Sequence, residues 1–112
     1  MIGASNNLLD TATAMAEHAA RTQAVAARNL AHADTPGYRA RAAERFADMA
    51  AGGRAAPEVR VDRTAPADPN GNTVSVEAQV MTLSEARGQH DMALALWRQT
   101  LGFYRTALGR GA

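Results

Sequence analysis

The chain has 112 residues, which is enough for one small domain. Its net charge is +1, and its 12 basic and 11 acidic residues are spread throughout, which argues against the basic stripe of a nucleic-acid-binding protein. There is no cysteine, so disulfides and thiolate metal sites are excluded. No stretch approaches the ~20 apolar residues of a membrane span, and the first seven residues lack the pattern of a Sec-type signal peptide.

Alanine accounts for much of the 46% hydrophobic fraction, whereas large aliphatic residues are sparse and only five residues are aromatic. Alanine buries little surface, and small chains bury a smaller share of their surface than large ones. We therefore expect the isolated chain to be only partly folded and to gain stability from neighbouring molecules.

The first predicted element is a helix that begins near Ser5, Asn6 or Asn7, any of which could cap it, and ends near residue 33. Mostly small residues recur along it at alternating steps of four and three, which predicts a seam for another helix. The seam consists of Leu8, Ala12, Met15, Ala19, Thr22, Ala26, Asn29 and Ala33.

The helical pattern stops at residues 34–37, Asp-Thr-Pro-Gly. Pro36 has no N–H and pushes Thr35 out of the α region. Gly37 can take the positive φ that the third position of a type II turn requires. The chain is therefore predicted to turn sharply and to leave as an extended segment that starts at Tyr38.

Residues 38–74 differ in character from the helical segments. A short helical turn is possible from Glu44 to Ala51, and Val59 to Val61 is at most a short strand-like piece. The Asp-Pro-Asn-Gly sequence at 68–71 is a strong turn signal. Because glycine, proline and alanine supply few packing anchors, we predict a flexible, protease-sensitive segment and no separate domain.

The clearest periodicity lies between residues 75 and 108. Ser75 is the predicted N-cap, and Gly109 and Gly111 are the predicted C-terminal stop. Between them lies a seam of about four heptads, which could pack within the chain or against another molecule. Its members are Val76, Val80, Leu83, Arg87, His90, Leu94, Trp97, Leu101, Tyr104 and Leu108.

Together these elements predict an all-α fold in which two long terminal helices form a coiled-coil-like helical hairpin. We divide the chain into an N-terminal helix with its turn motif (1–37), a flexible middle segment (38–74) and a C-terminal helix (75–112), which form one domain. The helices are expected to be antiparallel or nearly so, although a connection of more than thirty residues leaves the direction open.

No pattern of residues predicts chemistry. His18, His32 and His90 are far apart and have no partner ligand at helical spacing, which argues against a metal site. Glu44 and Asp48 could form an acid–base pair, but a solvated helix face is the simpler interpretation. Neither a nucleophile elbow nor a phosphate-binding loop is present, so we predict no enzymatic activity, no cofactor and no small-molecule substrate.

One stretch resembles a known family. It runs Asn29-Leu30-Ala31-His32-Ala33-Asp34-Thr35-Pro36-Gly37-Tyr38-Arg39-Ala40 and is similar to the signature near the N-terminus of bacterial flagellar axial proteins, the rod, hook and hook-associated proteins. Residues 71–74, Gly-Asn-Thr-Val, followed by one long helix that ends in Thr-Ala-Leu-Gly, extend the resemblance to both ends of the chain. The family usually has asparagine at the position of His32.

The resemblance implies a structural subunit of the flagellar rod, the drive shaft that crosses the periplasm, exported by the flagellar type III apparatus without a cleaved signal. It implies self-assembly and contacts with other rod proteins, the ring–rod adaptor and the export gate. The implied assembly motif comprises Asn29, Leu30, Ala33, Asp34, Thr35, Pro36, Gly37 and Tyr38. The alternative is a small cytoplasmic helical-hairpin adaptor or chaperone that binds a partner helix.

Overall fold

The computed structural model describes the backbone of residues 2–109 and the side chains of residues 7–109. Its elements in chain order are helix α1 (Ile2–Ala31), strand β1 (Arg41–Ala43), helix α2 (Phe46–Ala51), strand β2 (Val59–Val61) and helix α3 (Val76–Gly109). The protein is mostly helical, and its two long terminal helices are where the sequence predicts them. The small two-stranded sheet corrects the prediction of a purely all-α fold.

The helix ends agree in part with the sequence signals. Helix α1 begins at Ile2, so the predicted caps at Ser5, Asn6 and Asn7 lie inside the helix instead of at its start. At the start of α3, the Oγ of Ser75 accepts a hydrogen bond from the Ala78 N–H at 3.3 Å, which confirms the predicted N-cap. The predicted stop at Gly111 lies outside the described residues.

The two long helices are antiparallel. Near the end of α1, the side-chain amide of Asn29 donates to Oε1 of Gln79, close to the start of α3, at 3.0 Å. Earlier in α1, Thr22 lines the same hollow as Ala86 and Gln89, which come later in α3. Lower residue numbers in α1 therefore meet higher numbers in α3, and the direction that the sequence left open is settled.

Small residues form the contact between these helices. On α1 the predicted seam is confirmed at its centre: Ala12, Ala19 and Ala26 are at most 1% exposed. On α3 the buried apolar residues are Ala86 and Ala93. Alanine against alanine lets two backbones approach closely, but it removes little apolar area from water per residue.

The middle segment contains regular secondary structure. Strands β1 and β2 pair antiparallel with Ala42 opposite Arg60, so the predicted strand-like piece at 59–61 is confirmed. Helix α2, which corresponds to the predicted helical turn, buries Met49 to 2% exposure. The flexibility and protease sensitivity of this segment stay predictions.

Polar contacts also fix the middle segment. Glu44 forms an ion pair with Arg54. Burial raises the pKa of the Glu44 carboxyl, but hydrogen bonds from Arg54 and from the backbone N–H of Glu58 outweigh it and leave the pKa below its ordinary value. Farther along, the hydroxyl and the backbone N–H of Thr64 hold the pKa of Asp62 below its ordinary value.

The molecule is long and thin, with extents of 67 × 24 × 14 Å. Its accessible surface is 7763 Å². A compact monomer of 11.8 kDa would expose about 5,900 Å². The excess means that this hairpin leaves unusually much of its surface in water, which supports the expectation that it depends on neighbours for stability.

Candidate functional site

The turn after α1 has the predicted geometry. Gly37 has a φ of +74°, and the Tyr38 N–H donates to the Thr35 carbonyl at 3.2 Å, which closes the turn around Pro36. The Asp-Pro-Asn-Gly turn is also present, because the Gly71 N–H donates to the Asp68 carbonyl at 2.8 Å. Both turn predictions are confirmed.

The two turns pack against each other. The Gly37 N–H donates to the Asn70 carbonyl at 3.0 Å. A Cβ atom on Gly71, which has a φ of +83°, would lie 3.4 Å from the Gly37 Cα. The absence of a side chain at Gly71 therefore allows close contact between the segment that leaves α1 and the segment that enters α3.

Asn29 is the central polar residue of the motif and is 0% exposed. Its side-chain amide donates to the Arg41 carbonyl at 2.8 Å and to Gln79 at 3.0 Å. Its Oδ1 accepts the Arg41 N–H at 3.0 Å and the Tyr38 hydroxyl at 3.3 Å. One buried side chain thus connects α1, the start of β1 and α3, and it uses its full hydrogen-bonding capacity.

Asn72 forms a second buried connection that sequence reasoning did not single out. Its side-chain amide donates to the carbonyls of His32 at 2.9 Å and Thr35 at 2.7 Å, and its Oδ1 accepts the Val74 N–H at 2.7 Å. These carbonyls lie just past the end of α1, where backbone acceptors lack helical partners. Only its place in the Gly-Asn-Thr-Val match could have indicated Asn72.

His18 is the third buried polar contact, and it too was missed as a structural residue. Its Nε2 lies 2.6 Å from the Glu44 carbonyl, and its ring meets Phe46 edge to face at 5.6 Å. The contact fastens the start of α2 to the middle of α1. The sequence offered no signal for it, because the two partners are 26 residues apart.

The rest of the motif has a buried side and an exposed tip. The Tyr38 ring stacks on His32 with centroids 4.5 Å apart, so the imidazole serves as a platform for the ring. Leu30 and Ala33 are half-buried. The tip is exposed and consists of Asp34, Thr35, Pro36 and Gly37.

A glycine substitution tests the turn. Gly37→Ala should lower the free energy of unfolding by ~1–2 kcal/mol, because an L-residue at this positive φ is strained. Gly88→Ala is the matched control, since an added Cβ meets nothing within 4 Å at either position. In the interior of α3 the same change should stabilise by ~0.5–1 kcal/mol. Equal effects of both substitutions, measured by urea unfolding, would contradict the assigned turn geometry.

The seam predicted on α3 lies beside the contact with α1. The residues that α3 buries against α1 (Ala86, Ala93 and Thr100) each precede a predicted member by one position. The predicted members are therefore turned away by about 100°. Leu83, His90, Leu94, Leu101 and Tyr104 are half-buried. Val76, Val80, Arg87, Trp97 and Leu108 are exposed.

Large apolar side chains are consequently left on the outside of the hairpin. On the side of the predicted seam, Val80 is 51% exposed, Trp97 40% and Leu108 74%. Phe103, which is 64% exposed, lies on another side of α3. Exposed large apolar side chains that follow one side of a helix are typical of a contact surface. The sequence left open whether this seam packs within the chain or against another molecule. Packing within the chain accounts only for the half-buried members of the seam.

Among the described residues, no group of three histidine, aspartate or glutamate residues could hold a metal ion. None of the helices in this part of the chain is long and apolar enough to cross a membrane. No protein-family model matches the sequence, and no curated protein matches it significantly.

Proposed function

We propose that this chain is a structural subunit of the bacterial flagellar rod, similar to the proximal rod protein FlgB. Two features support the proposal. The motif at residues 29–38 is built as a unit around Asn29, and α3 carries a row of large apolar side chains outside the hairpin. The exposed row is the observation that carries the proposal, because a subunit that packs among helices of its neighbours needs such a surface.

In this proposal the function is mechanical and not catalytic. The subunits repeat by a head-to-tail contact that does not close on itself, which generates a helical tube. The terminal helices pack against those of neighbouring subunits, other rod proteins, the ring–rod adaptor and the export gate. The subunit works in the periplasmic part of the basal body, where torque passes through many packing contacts and no single group dominates.

One comparison tests the proposal. The purified, dilute chain should show partial helicity by circular dichroism and poorly dispersed side-chain signals by proton NMR, because its alanine contact offsets little of the ordering entropy. Basal bodies isolated from the source cells should nevertheless contain the chain. A sharp cooperative melt together with absence from basal bodies would contradict the proposal.

The second candidate, a cytoplasmic helical-hairpin adaptor or chaperone, predicts that opposite result. It is favoured by the same exposed row on α3, since a single partner helix could also cover it. Such a protein would be folded alone, would bind one partner in the cytoplasm and would be missing from the basal body. Spectroscopy of the purified chain and analysis of isolated basal bodies therefore distinguish the rod subunit from the adaptor or chaperone.

A further inference from the structure

A basic groove lies on the side of α1 that faces away from α3. It has a volume of about 370 Å³ and runs between α1 and the segment that carries β1 and β2. Arg21, Arg28 and Arg41 line it, and its apolar part comes from Val25 and Val59. We call this hollow the basic groove.

The arginines of the basic groove have unsatisfied charge. All three side chains belong to exposed residues. Within the described part of the chain, the ion pairs are Arg54 with Glu44 and Arg60 with Glu58, and neither involves the groove. A neighbouring hollow of about 380 Å³ is also lined by Arg21. Its lining includes one carboxylate, that of Glu17. Three guanidinium groups around an apolar floor suit a partner surface that is both acidic and apolar.

The first half of α3 carries such a surface. Opposite the face that contacts α1, helical geometry places Glu77, Val80, Met81 and Asp91 on one side, with the exposed Arg87 at its edge. Val80 is 51% exposed, Met81 is 63% exposed, and both carboxylates belong to exposed residues. We call these four residues the acidic face. It faces solvent in the single chain.

We propose that the basic groove of one molecule receives the acidic face of α3 from a second copy of the chain. This inference rests on the proposed function, since it assigns the surfaces through which the subunits repeat. The charges are complementary in sign, with three arginines in the groove and, on the face, Glu77 and Asp91 outnumbering the one arginine at its edge, Arg87.

Several properties of the molecule agree with self-association. The two surfaces lie on different parts of the molecule, so one contact leaves a free groove and a free face at its ends, as a non-closing chain requires. The net charge of +1 imposes little repulsion between copies. Packing of Val80 and Met81 against Val25 and Val59 would remove apolar surface from water, which adds hydrophobic stabilisation to the charge pairing.

Charge reversal of the full-length protein tests the pairing by sedimentation equilibrium between about 10 µM and 1 mM. The wild type should associate more with rising concentration and less with rising salt. A groove variant, Arg21→Glu with Arg28→Glu, should associate at least about tenfold more weakly. A face variant, Glu77→Arg with Asp91→Arg, should show the same loss, while Arg45→Glu with Arg63→Glu, which makes the groove variant's charge change at exposed positions outside both surfaces, should behave as wild type.

Mixing the variants gives the decisive measurement. An equimolar mixture of groove and face variants should recover wild-type association, because each reversed surface finds its reversed complement only in the other protein. A mixture that stays monomeric overturns the pairing, as does a monomeric wild type or variants that associate normally. Circular dichroism checks that each variant keeps its helicity, and Arg21→Gln with Arg28→Gln repeats the groove test if the reversal disturbs α1.

Basal bodies separate this inference from the proposed function. If the wild type is monomeric but present in basal bodies, and the groove variant is incorporated equally well, the pairing fails and the rod function stands. If the wild type associates through the groove but is absent from basal bodies, the rod function fails and the pairing stands.

Discussion

If the chain is a rod subunit as proposed, Trp97→Ala is expected to abolish its incorporation into basal bodies and to stop motility, while the protein is still made and exported. Trp97 lies at the centre of the exposed row on α3 and is 40% exposed in the single chain. Its outer surface becomes buried only when a neighbour packs on it. Removing it would then leave a cavity between subunits that costs ~2–5 kcal/mol at each contact.

Leu101→Ala tests the same surface one helical turn away and should have the same effect. Arg98→Ala is the matched control, because Arg98 is exposed, lies next to Trp97 and has the same truncation of a long side chain. We expect it to change stability by less than about half a kcal/mol and to incorporate normally, as should Arg63→Ala. Arg54 is unsuitable as a control because it forms the ion pair with Glu44.

The measurement combines isolation of basal bodies with detection of the subunit in each variant. Circular dichroism of the purified proteins measures the effect on the free chain separately, because Trp97 is 40% exposed and the rest of its surface is covered within the hairpin. Normal incorporation of Trp97→Ala would show that this row does not hold the assembly together.

Asn29→Ala is expected to lower the free energy of unfolding by about 3 kcal/mol. The substitution removes a buried acceptor of two hydrogen bonds, so the Arg41 N–H and the Tyr38 hydroxyl lose their partner. It also removes the donors to the Arg41 carbonyl and to Gln79. Each buried group left without a partner costs ~1–3 kcal/mol, which for a domain of this size is a large share of the total.

Asn7→Ala provides the control, since it makes the same chemical change at an exposed position of the same helix. It should alter the free energy of unfolding by less than ~0.5 kcal/mol. Urea titrations of all variants in the same concentration of a stabilising osmolyte give the comparison, because the osmolyte strengthens burial and provides a folded baseline. If Asn29→Ala unfolds at the wild-type urea concentration, the Asn29 contacts contribute no net stability.

The sequence predicted the elements that depend on local chemistry. Gly37 and Ser75 act through neighbouring residues in the chain, so the turn and the N-cap could be assigned without knowledge of the fold. The seam on α1 could be assigned because alanines seven residues apart, such as Ala12, Ala19 and Ala26, define one face of the helix.

Contacts between distant segments could not be predicted in this way. On α3, two heptad patterns that differ by one residue could each define the face that packs on α1. The large side chains of Leu94 and Trp97 favoured the pattern whose residues the structure leaves partly exposed. The partner helix selects the other row because its alanines accept small residues at close range. The buried hydrogen bonds of Asn72 and His18 reach across 40 and 26 residues, a separation at which no periodicity identifies partners.

The antiparallel hairpin also determines the order in which the chain can fold. Asn29 meets Gln79 across 50 positions, and α1–α3 pairs nearer the far end of the hairpin are separated by still more. The chain must lose the entropy of closing a loop of this length before packing of the two helices stabilises it. This requirement slows folding. A chain that emerges N-terminus first can therefore not begin to close α1 onto α3 until about residue 79 has emerged. For the exported subunit proposed above, this topology would keep the leading part of the chain unpaired during much of its passage.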